Sequence, residues 1–137
     1  VWAMGSDEPA VGWPRCGEID VVEVPPTTGL VHGTVHGPTA DGGRWKIGGD
    51  QPAPADIATA FHTYSLDWYP GVLVFARDGE VYEVVTEADL APGDDWVFDK
   101  PFYLLLSLAV GGEWPGTPPP QTRFPQEMVV DHIRVVA

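Results

Sequence analysis

Residues 72–85 read Val-Leu-Val-Phe-Ala-Arg-Asp-Gly-Glu-Val-Tyr-Glu-Val-Val. Two runs rich in β-branched and aromatic residues, which favour strands, flank the sequence Arg77-Asp78-Gly79. The pair Asp-Gly accepts the positive φ angles that a tight turn between antiparallel strands demands. These residues therefore predict a β-hairpin.

Similar short apolar runs occur along the rest of the chain, and together they predict about eight strands. The predicted strands are residues 1–5, 16–24, 30–36, 62–69, 72–76, 80–86, 102–110 and 128–136. Only residues 54–61 approach a helical spacing, and they are too few for a stable helix. The 16 Gly and 15 Pro interrupt the chain often, and residues 37–54 and 111–125 are predicted as long loops. We expect an all-β sandwich or jelly roll with antiparallel sheets.

Length and composition restrict the partners of the chain. Its 137 residues are the size of a single domain, which we assign to residues 1–137. The net charge of -13 argues against binding to nucleic acid or to an anionic membrane surface, because both need clustered cations. The longest apolar run, residues 103–110, is far shorter than the roughly 20 residues of a membrane-spanning helix. The lone Cys16 allows no intrachain disulfide, and the His and Cys residues lack zinc-site spacing.

Three acidic residues lie within one predicted strand, whose residues 17–23 read Gly-Glu-Ile-Asp-Val-Val-Glu. In a regular strand Glu18 and Asp20 share a face and Glu23 points to the other. A β-bulge around residues 21–22 returns Glu23 to the face of the other two. Crowded carboxyls raise one another's pKa, so that one acts as a general acid while another stays ionised as a nucleophile. A Ca²⁺ site is the competing interpretation, and the spacing alone fits both retaining and inverting glycosidases.

The same region carries a resemblance to a known family. Residues 12–23, Gly-Trp-Pro-Arg-Cys-Gly-Glu-Ile-Asp-Val-Val-Glu, resemble the signature of glycoside hydrolase family 16, in particular of its bacterial laminarinase-like endo-β-1,3-glucanases. The resemblance continues through residues 31–38, 61–68, 101–116 and 128–135, and so covers nearly the whole chain.

That resemblance implies a β-jelly-roll of two antiparallel sheets whose concave face holds an open cleft for a polysaccharide. It implies that Glu18 is the nucleophile, Glu23 the general acid/base and Asp20 a supporting carboxylate in endo-hydrolysis with retention, and that no cofactor takes part. The extra residue between Asp20 and Glu23 is typical of laminarinase-type members and favours β-1,3 linkages, with mixed-linkage β-1,3-1,4-glucan as a second candidate substrate. An acidic cleft also favours a neutral polymer over an anionic one.

Aromatic side chains are expected to bind the sugar rings. Trp13 and Trp114 resemble tryptophans of the family's subsites, Trp2 is a third candidate, and His36 resembles a histidine of the cleft. We expect packing roles for Trp68 and Trp96, leave Trp45 open, and expect structural roles for His32, His62 and His132. Ser107 departs from the Asn that many relatives carry at its position.

Three further expectations come from the resemblance. Asp131 resembles a ligand of a structural Ca²⁺ site on the convex side of the sandwich. Catalytic domains of this type are longer, so we expect the chain to be the trailing portion of a domain, truncated at its N-terminus or completed by another chain. A polymeric substrate implies a secreted protein.

Two other functions fit the same sequence. A non-catalytic β-glucan-binding module on the same jelly roll would bind laminarin without releasing reducing ends, although an intact set of Glu18, Asp20 and Glu23 counts against it. A transglycosylase would lengthen its products when oligosaccharide acceptors are present.

Overall fold

Eight β-strands form two antiparallel sheets in the computed structural model, which describes residues 1–136. The larger sheet has the order β4-β3-β2-β1-β8 and the smaller the order β5-β6-β7. The elements in chain order are β1 (Trp2–Gly5), α1 (Glu8–Val11), β2 (Glu18–Glu23), β3 (Leu30–Pro38), β4 (Arg44–Pro52), β5 (Tyr64–Tyr69), β6 (Val72–Arg77), β7 (Glu80–Thr86), a 3₁₀ turn (Glu87–Asp89) and β8 (Phe102–Leu105). Neither α1 nor any other helix within residues 1–136 is long and apolar enough to cross a membrane.

The predicted hairpin is confirmed as β6 and β7. Arg77 pairs with Glu80, so Asp78 and Gly79 alone form the turn, and their φ angles of 51° and 82° are both positive. This two-residue turn matches the right-handed twist of the strands that it joins. The Asp78 carboxylate also accepts a hydrogen bond from the backbone N–H of Thr63 at 2.9 Å, which ties the turn to the start of β5.

The core lies between the two sheets and is built by alternation along their strands. Ile19 on β2 and Val35 on β3 point inward from the larger sheet and are fully buried. Phe75 and Val85 of the smaller sheet meet them in one apolar cluster. Each such side chain stabilises the fold by about 1.5–3 kcal/mol when it leaves water. Because β2 alternates, the acidic residues on its other positions are directed away from this core.

Three sequence predictions of secondary structure are corrected. Residues 37–54, predicted as a loop, contain β4, which pairs with β3 along its whole length. The predicted strand 102–110 ends at Leu105. Residues 128–136, predicted as a strand, pair with no strand among residues 1–136 and are exposed. A strand needs a neighbour for its backbone hydrogen bonds, and a favourable composition does not provide one.

Gly33 on β3 shows how closely the sheets pack, and it yields a prediction. A Cβ atom there would lie 2.5 Å from the Tyr82 hydroxyl oxygen and 2.7 Å from a ring carbon of Phe75. We expect Gly33→Ala to lower the free energy of unfolding by about 1–3 kcal/mol through overpacking. Urea denaturation measures this, with the exposed Ser65→Ala as the control. Equal stability of the two variants would contradict the packing described.

Candidate active site

A β-bulge in β2 brings the three carboxylates to one face, as the sequence predicts. In the pairing of β2 with β3, Asp20 lies opposite Thr34 and Glu23 lies opposite His32. Three residue steps along β2 therefore match two along β3, and the register shifts between Asp20 and Glu23. The extra residue takes no place in the alternation of side chains, so Glu18, Asp20 and Glu23 share the face directed away from the core.

The carboxylates occupy the central strand of the larger sheet, and residues of the neighbouring strands surround them. On one side, β1 places Trp2 opposite Asp20 and Met4 opposite Glu18. On the other side, β3 places His36 opposite Glu18. Directly paired residues of antiparallel strands have Cβ atoms about 4.5–5.5 Å apart, so these side chains are in reach of one another. The register thus brings the predicted Trp2 and His36 to the carboxylates.

Glu18, Asp20 and His36 form a close cluster. One oxygen or nitrogen atom from each of the three lies within 4.8 Å of the others, and His36 Nε2 is 3.2 Å from Asp20 Oδ2. Trp13 Nε1 donates a hydrogen bond to Glu18 Oε2 at 2.5 Å. Asp20 is only 5% exposed and His36 8%. The cluster therefore holds ionisable groups in a setting from which most water is excluded.

Burial raises the pKa of both glutamates above the ordinary value of 4.5. For Glu18, burial is the main cause and the charge of Asp20 the next, while the Trp13 hydrogen bond and His36 oppose the rise. For Glu23, burial is again the main cause, followed by Asp20, and Lys46 opposes it. A carboxyl with a raised pKa keeps its proton at a pH where a free glutamate has lost it. Such a group is suited to general acid catalysis.

Two half-exposed tryptophans flank the carboxylates. Glu18, Asp20 and Glu23 form a line along β2, here called the carboxylate row. Trp13 is hydrogen-bonded to Glu18 and so lies at the Glu18 end of this row. The ring centroid of Trp114 lies 4.9 Å from that of His32, which is paired with Glu23, so Trp114 marks the other end. Flat aromatic faces beside acidic groups suit a sugar polymer laid across the strands. The structure thus brings Trp13 and Trp114 to the site that the sequence predicts for them.

Two cations at this site were missed by the sequence analysis. Arg44 Cζ lies 5.5 Å from the ring centroid of Trp13, and Lys46 Nζ lies 5.7 Å from that of Trp114. Both cations are on β4, two residues apart, and therefore on one face of the sheet. Cation–π contacts of this kind orient the rings. Predicting residues 37–54 as a loop concealed this shared face.

The remaining predicted residues have other surroundings. Trp2 Nε1 donates a hydrogen bond to Ser107 Oγ at 3.1 Å, so Ser107 contacts the tryptophan that is paired with Asp20. Trp45, left open by the sequence, is buried against Phe98. The predicted packing roles of Trp68 and Trp96 are confirmed, because their rings pack on Phe102 and Phe98 respectively.

The histidines outside the cluster pair with carboxylates. His32 is hydrogen-bonded to Asp50 and, at 3.1 Å, to Thr28 Oγ1. His62 bonds to Asp78 at 2.8 Å and His132 to Asp131 at 3.1 Å. The contacts of His32 and His62 agree with the structural roles predicted for them, although His32 also touches Trp114. His132 is exposed, so its structural role stays a prediction.

Asp131 lies apart from the carboxylate row and is largely exposed. Within residues 1–136 the one group of side chains arranged to hold a metal ion is Glu18, Asp20 and His36. The structural Ca²⁺ site at Asp131 therefore stays a prediction.

The chain is similar to known proteins in both sequence and structure. Residues 2–131 match the family described as Glycosyl hydrolases family 16. The chain is 34% identical to the Glucan endo-1,3-beta-glucosidase A1 of Niallia circulans, covering 98% of this chain and 21% of the relative. It is 36% identical to the Beta-glucanase of Rhodothermus marinus, covering 90% of this chain and 45% of that protein.

Solved structures agree with these matches. The laminarinase catalytic domain of Thermotoga maritima MSB8 superposes with a TM-score of 0.80 at 42% identity, over 90% of this chain and 51% of that one. The endo-beta-1,3-glucanase of Pyrococcus furiosus gives a TM-score of 0.76 at 42% identity, over 90% and 49%. The chain spans about half of these structures and less than half of the two relatives.

The raised pKa of Glu23 makes the carboxylate row a cost to stability near neutral pH. The folded state keeps the Glu23 proton to a higher pH than the unfolded chain, so the contribution of this group is full below 4.5 and is lost as the pH rises through the raised pKa. We expect Glu23→Gln to raise the free energy of unfolding relative to the wild type at about pH 7. The increase should be smaller at about pH 4, where the wild-type glutamate is protonated. Glu80 is exposed and its carboxylate is not desolvated, so Glu80→Gln should change the free energy of unfolding little. Urea denaturation at both pH values tests this, and a loss of stability in Glu23→Gln at neutral pH would contradict it.

Proposed function

The chain belongs to family 16 of the glycosyl hydrolases, and on this basis we propose that it carries the catalytic strand of a retaining endo-hydrolase of laminarin-type β-1,3-glucan. The observation that supports this most directly is the bulge between Asp20 and Glu23, which aligns three carboxylates on one face. Relatives named for endo-1,3-beta-glucosidase activity support the choice of linkage.

In the proposed reaction Glu18 and Glu23 act on opposite sides of one glycosidic bond. The Glu18 carboxylate attacks the anomeric carbon, and the Glu23 carboxylic acid gives its proton to the departing oxygen, which leaves a glycosyl ester on Glu18. Glu23, now ionised, takes a proton from water as that water attacks the same carbon and releases Glu18. Two inversions at one carbon give net retention.

The surroundings of each carboxyl fit its proposed role. The indole N–H of Trp13 stabilises the ionised form of Glu18, which the attacking group requires. Glu23 lies among groups that favour its protonated form, first through burial and then through the charge of Asp20. The charge of Asp20 also raises the pKa of Glu18, and the Trp13 hydrogen bond opposes this rise and so favours the ionised form that attacks. His36 in turn holds the buried Asp20 in place.

The substrate class follows from the shape and charge of the cleft face. Trp13 and Trp114 present half-exposed rings at either end of the carboxylate row, which suits a chain of sugar rings rather than a small molecule. A polymer without charge avoids repulsion by a protein of net charge -13. A relative named an endo-1,3-1,4-beta-glycanase and a solved structure named a non-specific endo-beta-1,3(4)-glucanase support mixed-linkage glucan as a second substrate.

Two accompanying proposals rest on the same family membership. A polymeric glucan is too large to enter a cell, which supports an extracellular location for the enzyme. Asp131 is proposed as one ligand of a structural Ca²⁺ ion, because its carboxylate is exposed and Ca²⁺ prefers oxygen ligands.

Replacing the proposed nucleophile tests the reaction directly. We expect Glu18→Gln to abolish release of reducing ends from laminarin, because the amide keeps the volume but cannot attack. Its circular dichroism spectrum and laminarin binding should be kept, and Glu80→Gln should retain wild-type cleavage. Undiminished cleavage by Glu18→Gln would reject the mechanism. A wild-type protein that binds laminarin without cleaving it would indicate the binding module, and products that grow with added acceptors would indicate a transglycosylase.

The charge of Asp20 should govern the pH dependence of the reaction. After burial, this charge is the next cause of the raised pKa of both Glu18 and Glu23, so Asp20→Asn should lower both pKa values. The acidic limb of kcat/KM follows ionisation of Glu18 and the alkaline limb follows loss of the Glu23 proton, so both limbs should move to lower pH. Asp67→Asn, an exposed change on β5, is the control and should move neither limb. Limbs that stay fixed in Asp20→Asn would show that Asp20 does not act through its charge.

A further inference from the structure

Glu18, Asp20 and His36 offer more than acid-base chemistry, because together they form a set of metal ligands. The strand register places His36 opposite Glu18, and Asp20 lies two pairs further along β2, on the same face. One donor atom from each lies within 4.8 Å of the other two. Asp20 and His36 are more than nine-tenths buried, which separates this cluster from the exposed acidic groups that occur on most protein surfaces.

The His36 ring turns its Nε2 atom toward the carboxylates. That atom lies 3.2 Å from Asp20 Oδ2, so it is the nitrogen that an ion at this cluster would engage. An imidazole held in this way beside two carboxylates is a usual arrangement in a metal site, where a carboxylate orients the ring or shares the ion with it. The cluster is therefore partly organised for a cation before one arrives.

The nature of the donors selects the kind of cation. A site made of carboxylates alone favours Ca²⁺ or Mg²⁺, which take oxygen ligands. An imidazole nitrogen changes this preference toward Zn²⁺ and Cu²⁺. Nitrogen and oxygen donors bind Zn²⁺ at about 2.0–2.2 Å and so must approach one another to about 3–3.5 Å. Asp20 and His36 are already 3.2 Å apart, so Glu18, the half-buried member, is the ligand that must move to close the remaining gap.

We propose that Glu18, Asp20 and His36 bind a Zn²⁺ or Cu²⁺ ion, and that the bound ion blocks the carboxylate row. Three protein ligands leave one coordination position open to water. The ion engages the attacking oxygen of Glu18 and the supporting carboxylate of Asp20. Metal binding itself does not depend on the proposed function, whereas the inhibition does.

Thermal unfolding of the protein without a histidine tag tests the binding. A rise with CaCl₂, such as the ion proposed at Asp131 would give, should not depend on His36. At a ZnCl₂ concentration well above the dissociation constant, the melting temperature of the wild type should rise by about 4 °C or more. His36→Asn should lose the rise. His62→Asn should keep it, which makes it the matched control, because His62 also lies between two carboxylates, 2.8 Å from Asp78 and 3.4 Å from Asp56. No rise in the wild type, or an equal rise in His36→Asn, would overturn the proposal.

A second measurement decides the matter even where His36→Asn does not fold. The electron paramagnetic resonance spectrum of the wild type with one equivalent of CuCl₂ should show coupling to one imidazole nitrogen, and Asp20→Asn should change it. A spectrum without nitrogen coupling would reject the site. Laminarin cleavage should fall as ZnCl₂ is added and return with a chelator. A protein that binds Zn²⁺ but never cleaves laminarin would leave the metal site standing and reject the proposed function, so the two failures are distinguishable.

Discussion

Strand β2 is subject to two opposing demands, and the bulge between Asp20 and Glu23 reconciles them. One face of the strand must supply Ile19 to the core, and the other must carry three acids. Regular alternation would turn Glu23 inward, where an unpaired carboxyl is strongly unfavourable. The extra residue at Val21 and Val22 returns Glu23 to the outer face. The positions of the neighbouring strands follow from this, because β1 and β3 pair with β2 on either side.

Packing behind the larger sheet supports this irregular strand. Gly33 lies on β3 across from the bulge, and Phe75 and Tyr82 of the smaller sheet approach its backbone so closely that no side chain fits there. The two sheets thus meet directly behind the carboxylate row. The face of β2 that carries the proposed catalytic residues is thus supported by apolar contacts on its other face, and a rigid scaffold of this kind fixes the direction of a reactive side chain.

The carboxylate row lowers the stability of the fold at neutral pH, and the same burial makes its side chains suited to proton transfer. Burial raises the pKa of Glu18 and of Glu23, and the close Asp20 raises both further. Only part of the cost is offset, by the Trp13 hydrogen bond to Glu18 and by His36 beside Asp20. Groups that are costly to bury and poorly matched to their surroundings are typical of active sites, since the same tension tunes their protonation.

Much of this arrangement follows from local signals in the sequence. The Asp-Gly turn predicts the β6–β7 hairpin, and the spacing of acids among valines predicts the bulge, because both depend on the geometry of a few adjacent residues. Strand β4 was missed because Gly48, Gly49 and its charged residues do not resemble a strand. Its existence depends on β3, against which Gly48 packs so closely that a Cβ atom would lie 2.3 Å from the Gly33 carbonyl oxygen.

Tertiary pairing also explains the rest of the differences. Residues 128–136 have the composition of a strand but no partner among residues 1–136, and the cations Arg44 and Lys46 reach the tryptophans only because β4 joins the sheet. The strand propensity of a segment shows only that it can form a strand, whereas pairing with a neighbouring strand and packing determine whether it does.

The placement of Glu23 on the same face as Glu18 and Asp20 is tested most directly by the rate of laminarin cleavage in two variants that change the number of residues before Glu23. The folding of each variant is checked by circular dichroism. Deleting Val21 removes the bulge but leaves Glu23 on the face of Glu18 and Asp20, because one intervening residue restores regular alternation. Deleting both Val21 and Val22 places Glu23 directly after Asp20, where alternation turns it toward the core. We expect the single-deletion variant to cleave laminarin and the double-deletion variant to be inactive. Wild-type cleavage by the double-deletion variant would contradict the shared face as the basis of activity.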